Sequence, residues 1–203
     1  MPAMATLTAA PGLLGHAVSY ALASAGHAAP QLLPLATPCE GWDLRTLLLH
    51  VSDSLGVLAG ALRAGHVGLG PPPADEPTAY ADPVACLRRR ARDLLGACAA
   101  AGAEERLVAI ADRELTASMV TAAGAIEIAV HGWDISVACG ISRPVPPGLA
   151  AELLPLAPVL IPRTTRAGLF ADPVPVPEAA CPGDRLVAFL GRPPYPPAVP
   201  GPT

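Results

Sequence analysis

The sequence contains no lysine, and each of its 13 basic side chains is an arginine. With 17 acidic residues the formal net charge is −4, and no segment forms a basic arm. Binding to nucleic acid requires a positive surface that neutralises phosphates, so this composition argues against a nucleic-acid partner. The densest basic run is Arg88-Arg89-Arg90 with Arg92. On a helix these side chains point in several directions, which favours a solvated face over an anion contact.

Aromatic residues make up only 3% of the chain, while hydrophobic residues make up 52%. The core must therefore be built from Leu, Val, Ile and Ala, and because Ala and Leu are strong helix formers this predicts an all-α fold. A length of 203 residues suits one domain of ordinary size. Asparagine is absent as well as lysine, and Ala, Gly and Pro are abundant. This bias is typical of a genome of high GC content and favours an actinobacterial origin.

The sequence also has no CxxC pair among its five cysteines. An odd number of scattered cysteines indicates neither a zinc ribbon nor a disulfide framework, and a cytoplasmic location with reduced thiols fits best. Residues 1–39 carry no charged side chain. The missing N-terminal positive charge argues against a signal peptide, and polar residues and prolines interrupt the apolar run before it could span a bilayer. We expect a buried first helix and no membrane partner.

Apolar periodicity predicts four long helices, over residues 5–27, 43–64, 83–101 and 116–139. The second helix begins at Asp43, a favourable N-cap residue, with Trp42 and Leu47 at the positions of a hydrophobic staple. The fourth helix ends before Gly140, a suitable C′ residue. A short helix is expected over 103–110. Four long helices with moderate connections predict an antiparallel four-helix bundle.

The chain changes character after residue 140, where prolines become frequent. A helix interrupted by prolines is predicted over 148–161 and a short one over 180–190. The last residues, 193–203, are expected to be extended or disordered. We therefore predict a metal-binding helix bundle over 1–140 and a C-terminal helical, Pro-rich extension over 141–203 that packs on it.

The spacing of Glu127 and His131 is the main chemical signal of the sequence. Residues four apart share one face of a helix, and both side chain types bind divalent metals at about 2.0–2.2 Å. His50 lies in a second apolar segment, where a buried imidazole is costly without a partner. If His50 faces the other two, three protein ligands hold a metal and leave one position open, as in catalytic zinc sites. Spacing alone equally fits an ion pair on a helix surface.

Two further side chains near these residues admit two interpretations each. Asp134 follows His131 by three residues, so it could accept a hydrogen bond from a ligand histidine or bond a backbone group at the helix end. Cys39 could be a reactive thiol, although a buried small apolar residue is favoured. His16, His27 and His66 are interpreted as core, surface and loop residues.

Two motifs and the chain ending resemble one known family. Residues 37–51, TPCEGWDLRTLLLHV, and 127–140, EIAVHGWDISVACG, are similar to two motifs of the mycothiol-dependent maleylpyruvate isomerase family. Residues 170–194 resemble the ending of its shorter members. The family belongs to the DinB-like metalloenzyme superfamily, and the similarity runs from about residue 10 to 194.

The resemblance implies a DinB-like bundle with a divalent metal held by His50, Glu127 and His131. The metal is usually Zn²⁺, with another ion such as Ni²⁺ as an alternative, and a low-molecular-weight thiol, mycothiol, is the implied cosubstrate. The isomerase proper has a larger C-terminal domain, whereas this chain has only a short Pro-rich extension. The resemblance therefore favours thiol S-transfer to another small electrophile over isomerisation of maleylpyruvate.

Three functions follow from these features. The first is a metal-dependent thiol transferase or isomerase-like enzyme, active as a monomer or a homodimer. The second is a non-catalytic module that binds a metal or a small molecule. The third is a purely structural helical protein in which Glu127 and His131 pair on the surface.

Overall fold

The fold is built on four long helices, as the apolar periodicity predicts. A computed structural model describes residues 10–67, 81–101, 106–110, 113–166 and 170–194. Residues 5–9 of the first predicted helix and most of the tail, 195–203, lie outside this part of the chain. The long helices are α1 (Ala10–Ala25), α2 (Leu44–Ala64), α3 (Pro83–Ala101) and α4 (Ala117–Ala138).

Helix α2 begins and ends as its sequence predicts. The Asp43 carboxylate accepts a hydrogen bond from the Thr46 backbone N–H at 2.8 Å and so caps the first turn. Gly65 follows the last turn at φ 72°, a left-handed conformation that favours glycine. Among the described helices, α2 alone has the length and hydropathy to cross a membrane. Its apolar face is nevertheless buried within the bundle, including Leu44, Leu47, Leu48, Val51, Leu55, Leu58 and Leu62.

Helix α4 is the central element, and most of its side chains are buried. It contacts α1 and α2 closely because glycines lie at the crossing points. A Cβ atom on Gly124 would lie 2.6 Å from Leu58, and one on Gly132 would lie 2.8 Å from Tyr20. Ser54 hydrogen-bonds to Glu127, and Leu58 packs against Gly124. The contact partner on α4 thus moves back by three residues as the position on α2 advances by four. The order of these contacts makes α2 and α4 antiparallel.

The short helix predicted over 103–110 is wrong for residues 107–110, while residues 103–105 lie outside the described part of the chain. Residues 107–110 form strand β1 (Leu107–Ile110), which pairs antiparallel with β2 (Arg113–Thr116). Within β1, Leu107 is exposed, Val108 is buried, and Ala109 and Ile110 are intermediate. The backbone of Ala109 also exchanges hydrogen bonds with Gly65 and Val67 after α2. These long-range partners override the local helical tendency of the segment.

The chain beyond residue 140 forms short helices that pack on the bundle. The helix predicted over 148–161 is divided at Pro155 into α5 (Pro147–Leu153) and α6 (Ala157–Leu160), and α7 (Arg163–Arg166) follows. Helix α8 (Pro182–Phe189) lies within the predicted range and contacts α4 and α5. The division of the chain at residue 140 stays a prediction.

Candidate metal centre

The three predicted metal ligands lie together in the folded chain. His50 comes from α2, and Glu127 and His131 come from α4. One potential donor atom from each lies within 4.8 Å of the other two. His50 Nε2 is 3.3 Å from Glu127 Oε1, and the two imidazole rings meet edge to face with centroids 5.1 Å apart. We call these three residues the ligand triad.

One side of the ligand triad is open to solvent. The side chains of His50 and Glu127 are 36% and 35% exposed. The Trp42 ring packs against His50 with centroids 4.6 Å apart, which restricts the imidazole from the side of the loop before α2. A small molecule can therefore approach the triad from solvent while His50 is held in place.

Glu127 is held as a carboxylate. Ser54 Oγ donates a hydrogen bond to Glu127 Oε1 at 2.6 Å. Desolvation alone would raise the pKa of Glu127, but hydrogen bonds from His50 and Ser54, together with the charge of His131, hold that pKa below its ordinary value. Ser54 is not among the site residues predicted from the sequence. Its position four residues after His50, on the same face of α2, was the available signal.

His131 is oriented from its other side by Asp134. Its Nδ1 is 3.0 Å from Asp134 Oδ2, and the Asp134 side chain is fully buried. With Nδ1 engaged in this contact, Nε2 is the nitrogen that remains to bind a metal. Of the two interpretations of Asp134, the structure supports contact with His131.

Asp134 is the buried centre of a polar cluster that includes the partly buried Cys39 and Arg192. The Cys39 thiol donates to Asp134 Oδ2 at 3.3 Å, and Arg192 Nη2 is 3.1 Å from the same oxygen. Desolvation alone would raise the pKa of Asp134, but the hydrogen bond from His131 and the charge of Arg192 hold it below its ordinary value. We call Cys39, Asp134 and Arg192 the buried cluster.

Cys39 is a protonated thiol at neutral pH. Burial, followed by the negative charge of Asp134, raises its pKa from 9.0 to about 12. The more reactive of the two sequence interpretations is therefore disfavoured, because the thiolate is the nucleophilic form of cysteine. The favoured interpretation, a small apolar residue, does not account for the hydrogen bond from Cys39 to Asp134.

The remaining histidines lie on the surface. His27 is exposed, as predicted. His66, predicted in a loop, is exposed after α2 and forms a bridge pairing with Ala109. His16 was expected in the core, but it is exposed, because α1 buries the face formed by Leu13, Leu14 and Ala17.

Comparison with known proteins now identifies the family. The profile of the mycothiol maleylpyruvate isomerase N-terminal domain matches residues 15–136. The chain belongs to this family. It is also 30% identical over 159 residues to uncharacterized proteins from two strains of Mycobacterium tuberculosis, which covers 77% of this chain and 82% of each relative. These relatives fit the predicted actinobacterial origin, and no solved structure matches the chain.

The donor set of this member of the mycothiol maleylpyruvate isomerase N-terminal domain family fits a divalent metal. Two imidazoles and one carboxylate form the ligand set of many catalytic zinc sites. Nickel also accepts imidazole ligands, so the donor set does not choose between the two ions. The half-exposed edge of the ligand triad fits a site that keeps one coordination position for a further ligand.

A cavity of about 920 Å³ is separate from both sets of residues, because its lining contains no member of the ligand triad or of the buried cluster. Its lining includes Pro38, Trp133 and Pro193, each of which is adjacent in sequence to one residue of the cluster. Small-molecule pockets commonly measure about 300–1,000 Å³. The chain therefore has space for a small molecule at a distance from the ligand triad.

Proposed function

We propose that this protein is a divalent-metal-dependent enzyme that uses a low-molecular-weight thiol, mycothiol, as cosubstrate. It adds the thiol to a small electrophile, so that an S–C bond replaces the S–H bond and the proton passes to the electrophile or to solvent, or it catalyses an isomerase-like reaction. The observation that carries this proposal is the convergence of His50, Glu127 and His131 with one side open to solvent. Membership of the family supports the link to mycothiol.

The ligand triad would hold the metal, and its surroundings suit that role. The metal would supply Lewis acidity, which lowers the pKa of a thiol brought to the site. Glu127 contributes one negative charge, and Ser54 and His50 hold its carboxylate in position. Asp134 orients His131 so that Nδ1 faces the protein interior. This charge balance favours a thiolate that keeps its nucleophilicity.

The state of Cys39 supports an external thiol as the nucleophile. Cys39 is the protein thiol beside the ligand triad, with Sγ 3.9 Å from His131 Nδ1. Because its pKa is raised to about 12, it does not supply a thiolate at neutral pH. A small thiol that enters from solvent would provide the sulfur instead. This chemistry suits the reducing cytoplasm.

The open side of the ligand triad supports a catalytic role over a role in binding a metal alone. An enzyme that joins a thiol to an electrophile needs access for an organic molecule at its metal. The side chains of His50 and Glu127, which are 36% and 35% exposed, offer that access.

Metal analysis and thiol-conjugation assays test the proposed function. We expect one divalent ion per chain in purified protein and turnover with mycothiol and a panel of small electrophiles. His50→Ala should lose both the metal and the turnover. His27→Ala is the matched control, because His27 is exposed on the surface. Metal binding without turnover would establish the non-catalytic module, and folded protein that binds no metal would contradict the metal site itself.

A further inference from the structure

We propose that Arg192 is a positioning residue for the metal site. Its guanidinium group holds Asp134 in the orientation that Asp134 needs to orient His131. The C-terminal extension thereby completes a centre whose ligands all lie in the helix bundle. This inference rests on the proposed metal at His50, Glu127 and His131.

Arg192 contacts both oxygens of the Asp134 carboxylate. Arg192 Nη2 is 3.1 Å from Oδ2, and Nε is 3.4 Å from Oδ1. Two parallel contacts between a guanidinium and a carboxylate fix the carboxylate plane, which one contact cannot do. The same Oδ2 lies 3.0 Å from His131 Nδ1. Arg192 therefore determines the direction from which Asp134 meets the imidazole.

Burial makes this pairing necessary. The Asp134 side chain is 0% exposed and that of Arg192 is 11% exposed. A buried carboxylate is strongly destabilising without a countercharge. A histidine that binds a metal is neutral, so His131 cannot supply that charge in the loaded site. Among the described residues, Asp134 forms ion pairs with His131 and Arg192. Arg192 is therefore the partner that keeps its positive charge when His131 binds a metal.

The turn after α8 is built to place Arg192. The Arg192 backbone N–H donates to the Val187 carbonyl at 3.0 Å, and Nη1 donates to the Leu190 carbonyl at 2.8 Å. Gly191 adopts φ 84°, and a Cβ atom on it would lie 2.8 Å from the Ala171 carbonyl oxygen. A side chain is therefore excluded at Gly191, and the backbone that carries Arg192 is held on two sides.

The same guanidinium also connects the loop before α2 to this arrangement. Arg192 Nη2 is 3.4 Å from Cys39 Sγ, and that thiol donates to Asp134. Three separate segments thus meet at one carboxylate beside His131. Arg192 lies beyond the part of the chain that the family profile matches, residues 15–136, so the inference concerns the extension rather than the family domain.

Metal affinity of Arg192 variants tests this inference. Zn²⁺ affinity is measured by competition with a chelating indicator in the full chain, and the absorption spectrum of bound Co²⁺ reports the ligand geometry. Loss of a direct outer partner of a ligand typically costs about 10–100-fold in affinity. Because Arg192 acts through Asp134, we expect R192Q to lose about 10-fold, the lower end of that range, together with an altered Co²⁺ spectrum. R185Q is the matched control, since Arg185 is exposed on α8.

A second variant separates positioning from charge. R192K keeps the charge but has one ammonium group, which cannot contact both carboxylate oxygens as the guanidinium does. We expect R192K to fold and to bind Zn²⁺ more weakly than the wild type. Wild-type affinity in either R192Q or R192K would overturn the inference and leave the proposed function standing. A wild-type chain that binds no metal would contradict both the inference on Arg192 and the proposed function.

Discussion

The two sides of His131 differ in solvent exposure and in how many of their polar groups already have hydrogen-bond partners. On one side, His50 and Glu127 leave about a third of their side chain surface exposed, at 36% and 35%. On the other side, Asp134 is fully buried and accepts from His131, Cys39 and Arg192. The open side offers donor atoms to an incoming ligand, while the polar groups of the closed side hydrogen-bond to one another.

This difference assigns separate physical roles to the two sides. Groups on the open side can exchange solvent for a metal and a substrate without leaving a buried charge unpaired. Groups on the closed side cannot change partners without such a cost, because unpaired charges are expensive in a protein interior. Variants on the open side should therefore change metal binding with little effect on stability, and variants on the closed side should change both.

Removal of the carboxylate ligand is expected to have the largest effect. Glu127→Gln keeps the shape of the side chain but removes the charge that binds the metal. The loss of Zn²⁺ affinity should exceed the roughly 100-fold upper value for outer partners, while the free energy of unfolding of the metal-free chain changes little. Competition with a chelating indicator measures the affinity. Glu114→Gln, an exposed site on β2, is the control, and equal affinity in the two variants would show that Glu127 is not a ligand.

Substitution on the closed side should affect two properties at once. Asp134→Asn leaves the buried Arg192 guanidinium without its countercharge, so we expect a loss of about 3–5 kcal/mol in the free energy of unfolding. Zn²⁺ affinity should fall by about 10–100-fold as the contact with His131 changes. Urea unfolding of the metal-free chain measures the first effect. Unchanged stability would contradict the distinction between the two sides.

The sequence predicts the open side much better than the closed side. His50, Glu127 and His131 stand in apolar helical segments, and the spacing of Glu127 and His131 places them on one helix face. Arg192 is separated from Asp134 by 58 residues and from Cys39 by 153. No local periodicity connects such distant positions, and Arg192 has only glycine and proline as sequence neighbours.

The same dependence on distant residues explains why the sequence predicts a helix where the structure has strand β1. The four long helices follow from periodicity and from local caps such as Asp43, and the structure confirms them. Strand β1 depends instead on pairing with β2 and on hydrogen bonds between Ala109 and the chain after α2. A segment of this length that owes its structure to distant partners carries too little local information for a correct prediction.

Cys39 gives the closed side a pH dependence of its own. Folding raises its pKa from 9.0 to about 12, so the folded state favours the protonated thiol. Its contribution to stability is complete below pH 9 and is lost as the pH rises from 9 toward 12. Alkylation by iodoacetamide, followed by mass spectrometry of each cysteine, should show Cys39 reacting slowly at pH 8. Cys181, which is exposed, provides the fast reference. Equal rates would show that Cys39 is accessible and outside the buried cluster.

The smallest effect is expected at the edge of the open side. Ser54→Ala removes the 2.6 Å hydrogen bond to Glu127 Oε1 but leaves the carboxylate itself in place. Because Glu127 is about one-third exposed, water can replace the lost donor. Zn²⁺ affinity should therefore fall by about 10-fold or less, the lower end of the range for outer partners, with an unchanged free energy of unfolding. Ser19→Ala, an exposed site on α1, serves as the control. A loss as large as that of Asp134→Asn would mean that the open side depends on its hydrogen bonds as strictly as the buried cluster does.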